Sequence, residues 1–456
     1  MAGIVWGFIP PGGLVAAVPR AARPPAADLP WLSVRDQRIV DPEGRTVLLR
    51  GFNDDALLHY PWRTAAPLDE SDAELMSRGG FDVVRLPISW DRIEPRRGVI
   101  DESYVDQVAA TVARLGRHHL YSVLDMHFFP GWGEAFYAGT APAWASVPLV
   151  PNVSWFHLDP FDKATNPASI AAEAHFFVSP DWQADFFRAW QAIARRLAGS
   201  SDLAGYDLYN EAHPFPVPPR LFEQWYLWPL YQHAIEALGA VDPNHLFIVE
   251  STLFADEPTA IVPLRAPDLV YSPHLYTGAL VPKVLSPGSH PIADSIAGRQ
   301  REAALLPAAL WFGELGINRN RADAAEWTDD ALQQLDDANS GWAWWEWRLP
   351  GSWGIRDQAG DHLDLDFLRH LARPYLRAAP PGVTATGADG VRGRLTIDVP
   401  AGGTAMPIVV SWPALTQPPP VVSAAGCSLQ SHYDPGGTLT LQVGGSSACS
   451  IQLTAA

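Results

Sequence analysis

A chain of 456 residues, 47% of them hydrophobic, is long enough for a large domain plus a smaller one. A formal charge of -18 and a pI of about 5.1 argue against a nucleic-acid partner and against a basic patch held on anionic lipid. The sequence has no run of about 20 apolar residues, so no transmembrane helix is expected.

In chain order, Ile4 to Val18 is mostly apolar, and Ala16-Ala17-Val18 is of the type that precedes a cleavage site. No Lys or Arg comes before it and Pro10-Pro11-Gly12-Gly13 interrupts it, so it makes a poor signal peptide. The first 30 residues are expected to be a flexible extension or a weak signal segment. Trp31 to Thr46 reads as a short hairpin with Asp41-Pro42-Glu43-Gly44 as its turn. Eight strand candidates follow: Val47–Phe52, Val83–Ile88, Tyr121–Met126, Tyr206–Tyr209, Leu246–Val249, Leu269–Tyr271, Leu310–Phe312 and Gly341–Trp345. Helices are expected between them, including Asp101–His118, where Val105, Val108, Val112 and Leu115 recur at helical spacing, Trp182–Leu197 and Leu221–Leu238. Eight alternations of strand and helix predict an α/β fold, a closed parallel (β/α)8 barrel over 31–377. A doubly wound open sheet is the alternative, but no Gly-rich phosphate loop supports it.

Near Leu376 the pattern changes. Ala378-Ala379-Pro380-Pro381-Gly382 reads as a linker. Short alternating runs split by Gly, Pro and Ser then predict a small all-β sandwich over 378–456. The two cysteines, Cys427 and Cys449, each stand beside a strand-like run. A disulfide between them would suit an exported protein, secreted or held at the cell envelope, and two buried free thiols are the alternative.

The chemistry gathers where strands stop. Gly205-Tyr206-Asp207-Leu208-Tyr209-Asn210-Glu211 begins as a buried strand, ends in an amide beside a carboxylate, and runs into a proline-rich loop. The C-terminal end of a barrel strand is where such enzymes keep their catalytic groups. A loop glutamate beside a helix N-terminus is the plain alternative. Other strand ends carry Arg85, Asp125, His127, His274, Tyr276, Glu314, Trp345 and Glu346. Each alone reads as a satisfied polar group; together on one barrel face they do not. Two carboxylates across a pocket are what glycoside hydrolysis requires, one protonated and one ionised. An arginine near the second would keep it ionised. An amide beside the acid is placed to hold a sugar hydroxyl.

At these residues the sequence resembles glycoside hydrolase family 5, the retaining (β/α)8 glycosidases. Asn210-Glu211 is similar to that family's Asn-Glu pair on the fourth strand, which implies that Glu211 is the acid/base. Phe312-Gly313-Glu314-Leu315-Gly316 is similar to its nucleophile motif, with Leu315 in place of the usual aromatic, which implies that Glu314 is the nucleophile. By the same resemblance Arg85 and Tyr276 steady the nucleophile, His127 binds the sugar, His274 supports the acid/base and Trp345 lies under the reacting sugar. Asp125 and Asn210 are further substrate-binding candidates.

A narrower resemblance is to the endoglycoceramidase-like branch. It rests on Arg85-Leu86-Pro87-Ile88-Ser89-Trp90-Asp91-Arg92-Ile93-Glu94-Pro95, on Leu124-Asp125-Met126-His127 and on Ala141-Pro142-Ala143-Trp144-Ala145. Ser272-Pro273-His274-Leu275-Tyr276 and Trp344-Trp345-Glu346-Trp347 extend it. Where members carry Gln-Asp after the histidine, this chain has Phe128-Phe129, so a sugar-binding carboxylate is missing or moved. The resemblance implies a retaining β-glycosidase that separates glycan from ceramide. The alternatives are an endoglucanase or β-glucosidase on a lipid-free glycan, and a non-catalytic sugar- or lipid-binding barrel. No metal or organic cofactor is implied. The expected partner is a glycolipid or glycan, met by a monomer in transient contact with a membrane or micelle.

Phe128 to Phe161 is long for a βα loop and rich in aromatics: Phe128, Phe129, Trp132, Phe136, Tyr137, Trp144, Trp155 and Phe156. One reading makes it an apolar wall for a lipid tail. The other makes it a rim loop with a small core of its own.

Overall fold

The computed structural model describes residues 23–58, 65–128, 132, 140–147, 150, 166–214, 216–253, 257–280, 291–349, 351–357, 362–402 and 405–456. Eight parallel strands close into a barrel: β1 (Arg50–Asn53), β2 (Val83–Ile88), β3 (Tyr121–Met126), β4 (Leu203–Asp207), β5 (Leu246–Val249), β6 (Leu269–Tyr271), β7 (Ala309–Leu315) and β8 (Gly341–Trp344). The sheet closes through β6–β7 (Val270 beside Ala309) and β8–β1 (Trp342 beside Arg50). A two-residue strand, His274–Leu275, extends the sheet beside β7 and sets His274 next to Glu314.

Strand alternation sorts the side chains. On β2, Val83 belongs to the barrel interior while Val84, Leu86 and Ile88 join the core under the helices. On β5, Leu246 and Ile248 point in, and Phe247 and Val249 point out. The helix Glu102–Arg117 starts at Asp101, whose carboxylate accepts from the Ser103 and Tyr104 amides, and it buries Val105, Val108, Val112 and Leu115 as expected. Pro180–Leu197 starts two residues before its expected position because Ser179 caps it and Pro180 takes the first turn.

Five readings need correction. The expected strand Val47–Phe52 is split, with Val47 in an antiparallel sheet outside the barrel and the barrel strand at Arg50–Asn53. The expected strand Tyr206–Tyr209 lies at Leu203–Asp207; Leu208 and Tyr209 continue the apolar run beyond the strand and pack outward. Leu221–Leu238 is broken by a π-helical turn, Glu223–Leu227. The N-terminal extension is not free from Arg23 onward. Arg23 donates to the Leu32 and Asn244 carbonyls, the Asp28 and Leu29 amides donate to Asp202, and Leu29 and Leu32 close the bottom of the barrel. Residues 1–22 lie outside the described residues. Finally, the strand Tyr375–Ala379 runs through the segment read as a linker.

The N-terminal hairpin also has two turns. Asp41 to Arg45 forms the expected one, and Asp36-Gln37 forms another, both residues at positive φ (49° and 58°). Its strands Ser33–Arg35, Arg38–Val40 and Thr46–Val47 join Tyr375–Ala379, Ile408–Ser411, Thr438–Gly444 and Ser428–Asp434 in one antiparallel sheet. A four-stranded sheet faces it, and Leu439 and Leu441 of the first share a core with Ile397 and Ile451 of the second. Cys427 and Cys449 are bridged with Cα atoms 5.3 Å apart, so the reading as free thiols does not hold.

Candidate active site

Inward alternation on β2 places Arg85 two residues above Val83, fully buried inside the barrel. A buried guanidinium needs an acceptor for each of its five N–H groups. Nε donates to Asp207 (2.9 Å). Nη1 donates to Asn53 (3.1 Å) and Glu314 (2.7 Å), and Nη2 to Asn210 (2.9 Å) and Glu250 (2.6 Å). Asp125 adds a fourth carboxylate at 3.2 Å. Burial opposes the charge, but these four carboxylates hold the Arg85 pKa well above its ordinary value. Asp125, Asp207 and Glu250 come close enough to hold a metal ion, and the cation they surround is Arg85.

Glu314 reaches this cluster through a bulge. Phe312 and Leu315 both pack outward, and the pairing of β7 with β8 slips between them, which turns the intervening residues inward. At Gly313 a Cβ would press on Ser272 Oγ at 2.3 Å, so the serine hydroxyl would have to turn away. Gly316 must lack a side chain, since its Cβ would sit 2.5 Å from the Trp345 carbonyl oxygen. Besides Arg85, Glu314 accepts from the Tyr276 hydroxyl at 3.0 Å.

Across the pocket, Glu211 sits just past β4 in the left-handed backbone region, φ 44°. Its amide donates to Glu250 Oε2 (3.0 Å), and its carboxyl meets His274 Nδ1 (2.7 Å). The same Nδ1 is 3.5 Å from Glu314. Oxygen atoms of Glu211 and Glu314 thus lie within 4.8 Å of each other. That matches the close spacing of retaining glycosidases, about 5–5.5 Å, and not the 6.5–9.5 Å or so of inverting ones. Asn210 turns its carbonyl to Arg85 and leaves Nδ2 without a protein partner.

At the rim, His127 Nδ1 meets Asp125 at 2.8 Å, and Trp345 stacks on the His127 ring at 5.5 Å with planes 7° apart. Trp345 is half-buried. The nine residues given a site role from sequence therefore gather at this end of the barrel: Arg85, Asp125, His127, Asn210, Glu211, His274, Tyr276, Glu314 and Trp345.

Burial lifts the Glu314 carboxyl above its ordinary value, and the charges of His274 and Arg85 oppose that lift. Burial would strip the His274 proton, but Glu250 and Glu314 outweigh it and hold the imidazole protonated well above its ordinary range. Glu250 moves the other way: despite burial, His274 and Arg85 bring it down to about 2. Asp207 is pushed well above the usual carboxylate range, first by burial and then by Glu250. Tyr276 is likewise raised by burial and by Glu314, so it remains a phenol donor.

Sequence reading missed Asn53, Asp207 and Glu250. Their inward direction was available from alternation, since 250 follows 246 and 248, but nothing marked a buried acid there as a partner of Arg85. The lipid wall fares differently. Phe128 and Trp132 are buried, with Phe128 stacked on Tyr209 at 4.2 Å and Trp132 beside Phe176 at 5.0 Å. Trp144 packs edge-on against Trp90. These three form a core under the rim, as the structural-loop reading expects. Phe129, Phe136, Tyr137, Trp155, Phe156 and Phe161 lie outside the described residues.

The family model for Cellulase (glycosyl hydrolase family 5) matches residues 40–349. Endoglycoceramidase I of Rhodococcus hoagii (strain 103S) is 28% identical over 286 residues, which are 55% of this chain and 54% of that protein. The chain thus spans about half the length of the curated relatives it matches. A crystal structure of an endogalactoceramidase aligns with TM-score 0.77 at 27% identity, over 94% of this chain and 100% of the other. Endo-glycoceramidase II from Rhodococcus sp., solved as its lactosyl-enzyme intermediate, aligns with TM-score 0.79 at 24% identity over 91% and 99%, a likeness of fold. With the family model covering more than half of its length, the chain belongs to glycosyl hydrolase family 5.

Proposed function

We propose that this protein is a retaining β-glycosidase that hydrolyses the bond between the glycan and a ceramide-like aglycone. The observation that carries the reaction type is the closely spaced pair Glu211 and Glu314, set on either side of His274. Glu211 donates a proton to the leaving oxygen while Glu314 attacks the anomeric carbon, forming a glycosyl-enzyme ester. Glu211 then takes a proton from water, which cleaves the ester and restores both carboxyls. Arg85 and Tyr276 hold the two oxygens of Glu314 and stabilise its ionised form. Asn210 Nδ2 is the free donor for the sugar 2-hydroxyl, and Trp345 lies under the ring.

The glycolipid substrate is supported by the likeness to endoglycoceramidases and an endogalactoceramidase. A lipid-free β-glycan is the second reading, favoured by the burial of Phe128 and Trp132, which takes them out of a lipid wall. The bridged cysteines support work outside the reducing cytosol. Incubation with a panel of glycosylceramides and lipid-free β-glycosides, with products identified by mass, decides between the two. Release of intact ceramide supports the proposal. Cleavage of lipid-free glycosides alone overturns it.

A further inference from the structure

Glu250, at the end of β5, has no part in the reaction as written above, yet it touches three groups that control it. It is almost completely buried. Oε1 lies 2.6 Å from Arg85 Nη2 and 3.3 Å from His274 Nε2, and Oε2 accepts the Glu211 amide at 3.0 Å. Its own amide donates to the Tyr231 hydroxyl at 3.3 Å. Through these contacts one carboxylate joins the arginine that holds Glu314, the imidazole that holds Glu211, and the strained backbone of Glu211 itself.

We propose that Glu250 is a positioning residue of the reaction: it aims the Glu211 carboxyl by hydrogen-bonding the Glu211 amide and by facing the His274 ring with its charge. This rests on the roles given to Glu211 and Glu314 above. Two donors, Arg85 Nη2 and the Glu211 amide, hydrogen-bond to Glu250, and His274 Nε2 faces it at ion-pair distance, so only an acceptor-only group suits all three. An amide there would set an NH2 against Arg85 and His274 in one orientation and against the Glu211 amide in the other.

The consequence for catalysis is a matter of proton placement. A doubly protonated His274 always donates from Nδ1 to Glu211 Oε1. The acidic proton of Glu211 must then sit on Oε2, the oxygen left for the leaving group. A neutral His274 whose remaining proton faced Glu250 would instead present a bare Nδ1. Glu211 would turn its proton toward that nitrogen and away from the substrate. The charged and titratable groups facing His274 are Glu211, Glu250 and Glu314, with Tyr276 beside its ring. Those facing Glu250 are Arg85, His274 and Tyr231, with Asp207 near. Glu250 remains ionised throughout the working range, being held down to about 2.

The test uses Glu250→Gln, Glu250→Asp and the wild-type protein. With a poor leaving group that needs a proton, the Gln variant should lose about 100-fold in kcat, the scale of an angstrom-sized misplacement. With an activated dinitrophenyl glycoside, which leaves without a proton, the first step should lose markedly less, about tenfold or under, through Arg85 alone. The Asp variant, which keeps the acceptor-only group, should recover part of the loss. Equal loss on both leaving groups in a folded Gln variant overturns the proposal. Imidazole nitrogen NMR of the wild-type protein supplies an arm that needs no variant. Both His274 nitrogens should carry protons at neutral pH, and a singly protonated ring overturns the proposal. If the wild-type protein cleaves no glycoside, the functional reading fails while the NMR result still decides this one.

Discussion

Arg85→Lys keeps a positive charge in the middle of the barrel and removes the planar fork. In the native protein five N–H groups meet five acceptors on Asp207, Asn53, Glu314, Asn210 and Glu250, with full burial. A lysine ammonium has three donors, so at least two of those acceptors lose their partner. Hydrogen bonds to charged groups contribute about 1.5–3 kcal/mol each, so two lost bonds cost about 3–6 kcal/mol. Against a typical stability of ~5–15 kcal/mol that is a large loss. Guanidinium unfolding followed by tryptophan fluorescence should therefore show a clearly lower midpoint. Turnover of an aryl β-glycoside should fall by about 100-fold or more, because Glu314 and Asn210 both lose their alignment. A variant with the wild-type midpoint and turnover would refute the reasoning that the fork, and not the charge alone, organises the site.

Azide should rescue alanine variants of the two glutamates differently. Glu211→Ala should yield a glycosyl azide of retained configuration and Glu314→Ala one of inverted configuration; NMR of the products checks this, and the same anomer from both would exchange or remove the roles. Glu173, buried under the Glu211 loop, accepts from the Tyr209 hydroxyl and the His213 amide, and burial lifts it to about 7. Its folded-state pKa is raised, so the native state binds the proton more tightly, and stability falls as pH rises from about 4.5 through about 7. Glu173→Gln should accordingly gain up to about 3 kcal/mol over wild type at alkaline pH and nothing below pH ~4.5, as read from chemical unfolding at both ends. Cys427→Ser, which opens a loop of sequence separation 22, should destabilise the β-sandwich by about 3 kcal/mol in the chain-entropy account, seen as a lower unfolding midpoint.

Much of the barrel was legible because its strands are short apolar runs bounded by polar ends. Val83–Ile88, Tyr121–Met126, Leu246–Val249 and Leu269–Tyr271 appear at their expected bounds. The candidate pair Glu211 and Glu314 was legible because a carboxylate directly after a buried strand has few places to go. The supporting acids were not. Asp207 and Glu250 follow the same alternation, but their burial depends on Arg85 from β2, a partner far away in sequence. The same holds for the sandwich, whose sheet takes strands from residues 33–47 and from beyond 375. Local pattern names a strand and is silent about its neighbours. The π-helical turn at Glu223–Leu227 had no composition signal, and Trp132 was left open between two readings because an aromatic loop residue looks alike whether it faces a ligand or a core.

The most direct test of the account is hydrolysis of a β-linked glycosylceramide in 18O water, with mass and NMR analysis of the first products. Retaining cleavage at the anomeric carbon requires unlabelled ceramide and a free glycan that carries one 18O and appears first as the β anomer. Label in the ceramide, an α anomer formed first, or no ceramide from a protein active on lipid-free glycosides would contradict it.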